Sequence, residues 1–181
     1  NKSEQSILLN AEKIIVGFSG GVDSTLVLAA TNQFLEAHNK KNCLTALHVN
    51  HQTQSDSSGW EIHCQKFCKE HNINFLCKSV EIKESGQGYE AAARSARLDI
   101  FNAFDEATVI ILGHHLDDQV ETVFFRVLRG TGLKGLTGMQ RHLKIKDKDF
   151  IRPLLHLTKE EIFKQATEYN LSFIEDQSNT D

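Results

Sequence analysis

The chain has 181 residues, 40% of them hydrophobic and 24% charged, with a formal net charge of −4. That length holds one domain with a full core and not comfortably two. The acidic balance, 24 Asp and Glu against 20 Lys and Arg, excludes a blanket nucleic-acid surface, so any RNA contact must come from a local patch.

The start, Asn1 to Ser6, is polar and unlike a signal peptide, and its missing initiator Met reads as a processed or trimmed terminus. No apolar run reaches the roughly 18 residues of a membrane span. Lys13 to Phe18 is apolar and β-branched and reads as a buried strand. Ser19-Gly20-Gly21-Val22-Asp23-Ser24 follows it, and Val22 to about His38 reads as a helix. Leu44 to Val49 is a second strand, running into the polar cluster His48-Val49-Asn50-His51. Ser58 to His71 is amphipathic, with Trp60, Cys64, Phe67 and Cys68 at helical spacing. Ile73 to Val80 is a third strand, and Tyr89 to Phe104 is alanine-rich and helical. Thr108 to Leu112 is a fourth strand and Asp117 to Leu128 a fourth helix. Strands alternating with helices of this length build βαβ units. The expected class is therefore α/β, an open parallel sheet with helices on both faces.

After Arg129 the texture changes. Gly130, Gly132, Gly135 and Gly138 fall within nine residues and read as a mobile loop. Lys144 to Asp149 reads as a charged hairpin turn. Thr158 to Tyr169 forms a last helix, with Thr158 as N-cap and Glu161 at the capping-box position.

Three motifs carry chemistry. The first is Ser19 to Ser24, set between a strand and a helix. Its two glycines allow a tight turn and close backbone approach, and the helix N-terminus offers free N–H groups and partial positive charge to an anion. It is not a Walker A loop, since no Gly-Lys-Ser/Thr follows, nor a dinucleotide fingerprint. The second is Gly113-His114-His115-Leu116-Asp117-Asp118-Gln119-Val120-Glu121-Thr122. Asp118 and Glu121 share a helical face, and Asp117 reads as the cap. Carboxylates beside a polyphosphate need a cation between them, and Mg²⁺ suits that task. Zinc held by His114 and His115 is a rival, weakened because adjacent histidines on a short turn rarely converge. The third is Arg94 with Arg97, one turn apart on the alanine-rich helix, whose planar forks suit phosphate; solvated surface charges are the alternative.

Cys43, Cys64, Cys68 and Cys77 form no CxxC pair and read as reduced thiols. Residues 126–164 hold ten Lys or Arg against four Asp or Glu, led by Arg126, Arg129, Lys134, Arg141, Lys144 and Arg152. This is the one stretch suited to RNA phosphates, with a plain solvated surface as the alternative.

Ser19 to Ser24 resembles the pyrophosphate loop of N-type ATP pyrophosphatases, enzymes that split ATP between its α- and β-phosphates and leave AMP on a substrate. Along nearly its whole length the chain resembles the tRNA(Ile)-lysidine synthetase family. The matching pieces are Ser19 to Ser24, His48 to His51, Glu90 to Arg97, His114 to Thr122, Arg129 to Met139, Ile151 to Leu155 and Glu175 to Asn179. Gln52-Thr53 departs from the Gly-Leu that usually continues the second piece.

The resemblance implies a Rossmann-like, adenine nucleotide alpha hydrolase-like fold, with residues 1–181 as the N-terminal catalytic domain of a longer cytoplasmic enzyme. It implies that ATP and Mg²⁺ serve a C–N ligase joining L-lysine to the wobble cytidine of the isoleucine tRNA with a CAU anticodon. A homodimer is an assembly it allows, and a membrane partner is not expected. The implied nucleotide-binding residues are Ser19, Gly20, Gly21, Val22, Asp23, Ser24, His48, Val49, Asn50 and Gly113. Asp23 and Asp118 would hold the metal, and Asp118, Glu121, Arg94, Arg97 and Arg129 would be catalytic. Two other readings stand beside this one. A tRNA thiolase of the same superfamily needs cysteines, typically in CxxC pairs, that this chain lacks. A nucleotide-binding module without catalysis has no need of the Asp-Asp-Gln-x-Glu-Thr carboxylates.

Overall fold

A computed structural model describes residues 2–50, 57–80, 89–105, 107–130 and 137–175. The elements are α1 (Lys2–Asn10), β1 (Lys13–Gly17), α2 (Val22–Ala37), β2 (Leu44–Asn50), α3 (Ser57–Glu70), β3 (Asn74–Ser79), α4 (Tyr89–Asn102), β4 (Thr108–Ile111), α5 (Leu116–Leu128), β5 (His142–Ile145), β6 (Lys148–Ile151) and α6 (Lys159–Glu168). The six strands form one sheet in the order β3-β2-β1-β4-β6-β5. Every pairing is parallel except β5 with β6.

Central position explains the composition of β1. Its two neighbours are β2 and β4, so both edges are paired, and helices pack on both faces, leaving Ile14, Ile15 and Val16 fully buried. Alternation then sends side chains to opposite faces. Ile14 and Val16 pack with Leu26 and Val27 of α2, Cys64 and Phe67 of α3 and Ile162 of α6. Ile15 faces the other way, toward Phe101 of α4, Leu47, Ile110 and Phe150. Helices therefore cover both faces, as expected. Each such side chain contributes roughly 1.5–3 kcal/mol when fully buried.

Two features differ from the sequence reading. The polar start forms α1, which the sparse apolar spacing of Ile7, Leu8 and Leu9 did not announce. It is tied down by an ion pair: Arg141 Nε and Nη2 donate to the Glu4 carboxylate at 2.6 and 3.1 Å, and Glu4 is buried. The charged hairpin exists, turning at Lys146 with φ 55°. It is no separate appendage, because β6 extends the main sheet by pairing with β4.

The strand order places the ligand crevice. From β1 the chain moves outward to β2 and β3, then crosses back to β4 on the other side of β1. An open parallel sheet binds ligands where the order reverses, beyond the carboxyl ends of the strands. Here that point lies between the loop after β1, Phe18 to Gly21, and the loop after β4, Leu112 to His115.

Candidate active site

The loop after β1 is shaped from inside by one hydroxyl. Ser24 Oγ accepts from the N–H groups of Ser19 and Gly20, both at 3.2 Å, and donates to Gly21 O at 3.0 Å. Ser24 is buried, and its hydroxyl is engaged within the loop. Ser19 is exposed and its hydroxyl lies 3.1 Å from that of Ser24. Gly20 has φ 91°, and a Cβ there would meet Cys64 Sγ at 3.0 Å, so glycine is required on both counts. The N–H groups of Val22, Asp23 and Ser24 open α2 and have no intrahelical acceptor. Such N–H groups, with the helix dipole behind them, are suited to an anion.

Two contacts clamp this loop. His48 Nδ1 donates to Phe18 O at 2.9 Å, which fixes the proton on that nitrogen, and the ring is buried at the base of the loop. Ile174 N donates to Gly20 O at 2.9 Å, bringing the segment after α6 onto the loop's other side. Asn50, at the end of β2, donates to Glu61 of α3 at 3.1 Å. The polar cluster expected to face a ligand thus does much of its work as scaffold, with Val49 half-buried between the two.

The second loop is pressed against the first. A Cβ on Gly113 would lie 3.2 Å from both the Asp23 carbonyl carbon and the Ser24 nitrogen. His115 follows as the N-cap residue of α5, and its N–H donates to Asp118 Oδ2 at 2.8 Å. The buried His115 ring lies among three carboxylates: 3.8 Å from Asp23, 3.4 Å from Asp117 and 3.5 Å from Asp118. Asp117 does not cap its own helix. Its Oδ2 accepts from Lys159 N at 2.8 Å, at the start of α6, while His115 occupies the cap position of α5. Thr158 and Glu161 close the capping box of α6 as expected, the Thr158 hydroxyl accepting from Glu161 N at 3.2 Å.

Asp23 carries the electrostatic signature of the site. Burial pushes its carboxyl above the usual range; the His115 ring opposes this and the Asp118 carboxylate adds to it. Asp23 Oδ1 is buried without a hydrogen-bond partner among the described residues. A crowded, unsatisfied carboxylate oxygen facing a second carboxylate is a place for a hard cation. Two carboxylates fit Mg²⁺, which keeps its remaining positions for water and phosphate oxygens.

The third wall is basic. His114 accepts from Arg152 Nε at 3.3 Å through Nδ1, and Arg152 Nη1 donates to Gln140 O at 2.9 Å. Burial, then the charges of Arg152, Arg94 and Arg97, push the His114 imidazolium down to about 4 against a pull from Asp118. Arg94 and Arg97 of α4 are thereby brought to the same end of the sheet as Asp118.

Two other expected residues lie further along α5. Glu121 lies one helical turn beyond Asp118 and is exposed. Arg129 caps the far end of α5, about 16 Å along the axis from Asp118 at 1.5 Å per residue, so it stands apart from the carboxylates. Its glycine-rich continuation, 131–136, lies outside the described residues, as do His51 and 176–179. The basic stretch 126–164 is not one surface. Arg141 is spent on Glu4, buried Lys148 donates to Asn102 O at 2.6 Å, and Arg126 and Arg152 bond main-chain oxygens. Sequence reasoning placed Arg152 in an RNA patch; the structure places it beside His114. It also gave no role to Gln119, whose side-chain amide bonds both Met139 N and Met139 O. The zinc alternative meets a wall of guanidinium groups around His114, and no group of three or more metal-ligating side chains forms among the described residues.

Known proteins show the family and the fold of the chain. A family model described as a PP-loop domain matches residues 2–181. A tRNA(Ile)-lysidine synthase of Legionella pneumophila (strain Paris) is 40% identical over 174 residues, covering 94% of this chain and 39% of that protein. One from Francisella tularensis subsp. novicida (strain U112) is 36% identical over 186 residues, covering 98% and 45%. The chain therefore spans less than half the length of these relatives. Among solved structures, the U34-tRNA thiolase NcsA from Methanococcus maripaludis superposes with a TM-score of 0.68 at 19% identity, covering 99% of this chain and 66% of that one. A glutamine-dependent NAD+ synthetase from Acinetobacter baumannii gives 0.56 at 14% identity, covering 90% and 30%. At those identities the likeness concerns the fold.

Proposed function

The chain belongs to the PP-loop domain family, and on that premise we propose that it is the ATP-binding catalytic domain of a tRNA(Ile)-lysidine synthetase. The observation that carries the reading is the contact of Gly113 with Asp23 and Ser24. It joins an anion-binding helix N-terminus to a pair of carboxylates at the point where the strand order reverses. Similarity to curated synthases over 94–98% of the chain supplies the substrate class.

The proposed reaction has two steps. The C2 oxygen of the wobble cytidine attacks the α-phosphate of ATP and pyrophosphate leaves. The ε-amine of lysine then attacks C2, and AMP leaves. The N–H groups of Val22, Asp23 and Ser24 hold phosphate oxygens, on a loop kept in shape by Ser24, His48 and Ile174. Asp23 and Asp118 would hold Mg²⁺, which when bound neutralises phosphate charge. Arg94 and Arg97 face the charge that develops at the α-phosphate. Asp118, with Glu121, orients the lysine ammonium and takes its proton, since the amine is inert while protonated. Arg129 acts only through the loop that follows it.

The thiolase alternative fits the thiols poorly. Burial raises Cys64 and Cys68 to about 12 and Cys77 to about 11, so none is a ready thiolate. No helix among the described residues is long and apolar enough to cross a membrane, and a cytoplasmic location follows from the proposed substrate. The test is AMP release and lysidine formation by the whole enzyme with ATP, lysine and the CAU-anticodon isoleucine tRNA. Lysine-independent sulfur transfer, or ATP binding without AMP release, would overturn the assignment.

A further inference from the structure

Arg152 lies just beyond β6 and precedes Pro153. A residue before proline is held in extended conformation, so the chain continues the line of the strand and its N–H donates to Arg141 O at 2.8 Å. The guanidinium is then pinned twice, by Nη1 to Gln140 O at 2.9 Å and by Nε to His114 Nδ1 at 3.3 Å. An Arg N–H only donates, so His114 Nδ1 must carry a lone pair. The one proton of a neutral imidazole is then on Nε2. The groups facing His114 are Arg94 and Arg97 on α4, Asp118 on α5 and Arg152 after β6. Burial first, and then the three cations among the four, disfavour a second proton on the ring. Gly113, the preceding residue, is packed on the Asp23–Ser24 backbone, so His114 stands at the edge of the phosphate-binding loop.

We propose that Arg152 is a positioning residue that holds His114 as the neutral, Nε2-protonated tautomer, so that His114 serves the anionic substrate as a hydrogen-bond donor and not as a base. This deepens the proposed function and rests on it for the identity of the anion. It also separates two tasks within one basic wall. Arg94 and Arg97 supply charge, whereas Arg152 is spent on orientation and leaves a neutral, directional N–H. A neutral donor suits a group whose charge changes during reaction, because it adds no fixed charge that must be offset in the ground state.

The test uses this chain labelled with ¹⁵N-histidine. His114→Gln identifies the His114 signals by their loss. In the unsubstituted protein at pH 7, His114 is expected to show an unprotonated Nδ1 and a protonated Nε2. Arg152→Met removes every donor while keeping an apolar stem. Arg152→Lys keeps the charge but lacks the fork that reaches Gln140 O and His114 together. Both are expected to let His114 exchange between tautomers. In the whole enzyme, either substitution is expected to lower kcat for AMP formation about 10- to 100-fold, the effect of removing the partner that orients a functional histidine at metal sites, with KM for ATP within about twofold. A protonated Nδ1 in the unsubstituted protein, or a tautomer indifferent to Arg152→Met, overturns the proposal. So does a freed tautomer with unchanged kcat. If the enzyme forms no AMP at all, the proposed function fails while the tautomer measurement still decides the Arg152–His114 pairing.

Discussion

Gly113 and Asp23 are in backbone contact: a methyl group on Gly113 would stand 3.2 Å from the Asp23 carbonyl carbon and 3.3 Å from its oxygen. Both neighbours are main chain, so nothing there yields without moving the phosphate loop or the loop after β4. Gly113→Ala is expected to cost about 1–3 kcal/mol of stability, the usual range for overpacking, and to weaken ATP binding by more than it weakens the fold. Calorimetric titration beside denaturant unfolding checks this; unchanged ATP affinity would show that the two loops do not act as one site.

ATP with Mg²⁺ is expected to stabilise this chain, because the loop proposed to hold phosphate and both carboxylates lie within it. At about 100 times the dissociation constant the gain is roughly 2.7 kcal/mol. The check is a thermal-shift titration with and without the metal. Equal shifts in both would remove the cation from the Asp23–Asp118 pair.

Asp118→Asn separates charge from shape. Asp118 accepts from His115 N, and an amide oxygen can accept the same bond. Stability is expected to change by no more than about 1 kcal/mol, while lysidine formation by the whole enzyme is lost. Turnover at the unsubstituted rate would eliminate Asp118 as a metal or reacting group.

The legible parts of this chain were those with local signals. Strand runs such as Ile14 to Val16 and the Thr158–Glu161 box depend on near neighbours, and both form as read. The turn between β1 and α2 was legible because its glycines sit between a strand and a helix. What was not legible depends on distant pairings. Arg141 looks like a surface cation until Glu4, 137 residues away, is placed beside it. Lys148 looks solvated until the sheet buries it against the end of α4. Asp117 looks like a cap of the helix it opens, and only the packing of α6 shows that it serves Lys159 N instead. Charge counted along a sequence cannot tell a free cation from one already bonded.

Gln119 makes a testable link of the same kind. Its amide exchanges two hydrogen bonds with Met139, and Gly138, with φ 65°, lies too close to Gln119 to carry a Cβ. Gln119→Ala releases both bonds, each worth about 1 kcal/mol. The Met139 amide is expected to exchange with solvent about tenfold faster or more. Unchanged protection would assign the anchoring to Arg126, which donates to Gly138 O.

Thiol chemistry should follow burial. Cys64 and Cys68, at about 12, stay protonated in the folded chain well above the 9.0 of an exposed thiol. The unfolded chain loses those protons first, so stability is expected to fall as pH rises through 9 toward 12. At pH 8 both are expected to resist alkylation until denaturant is added. Rapid labelling of Cys64 under native conditions would contradict its packing beneath Gly20.

The last prediction concerns RNA. Affinity for a polynucleotide rises with the number of phosphates neutralised, and each contact steepens the salt dependence. Of the ten cations in 126–164, Arg126, Arg141, Lys148 and Arg152 are engaged inside the fold. Lys134 lies outside the described residues, and the exposed ones among those described, Arg129, Lys144, Lys146, Lys159 and Lys164, are divided among α5, the β5–β6 hairpin and α6. A protein of net charge −4 with its free cations so dispersed should make few phosphate contacts. This chain alone is therefore expected to bind the isoleucine tRNA weakly, with a shallow slope of log affinity against log salt. The curated relatives are more than twice as long as the matched region. A second RNA-binding region in a longer chain would raise affinity by up to about 10²–10⁴-fold through bivalency. Binding across a salt series, for this chain and for a whole synthetase, decides the matter. Equal affinities and equal slopes would show that these dispersed cations suffice, and that the patch dissolved by internal pairing is replaced by another.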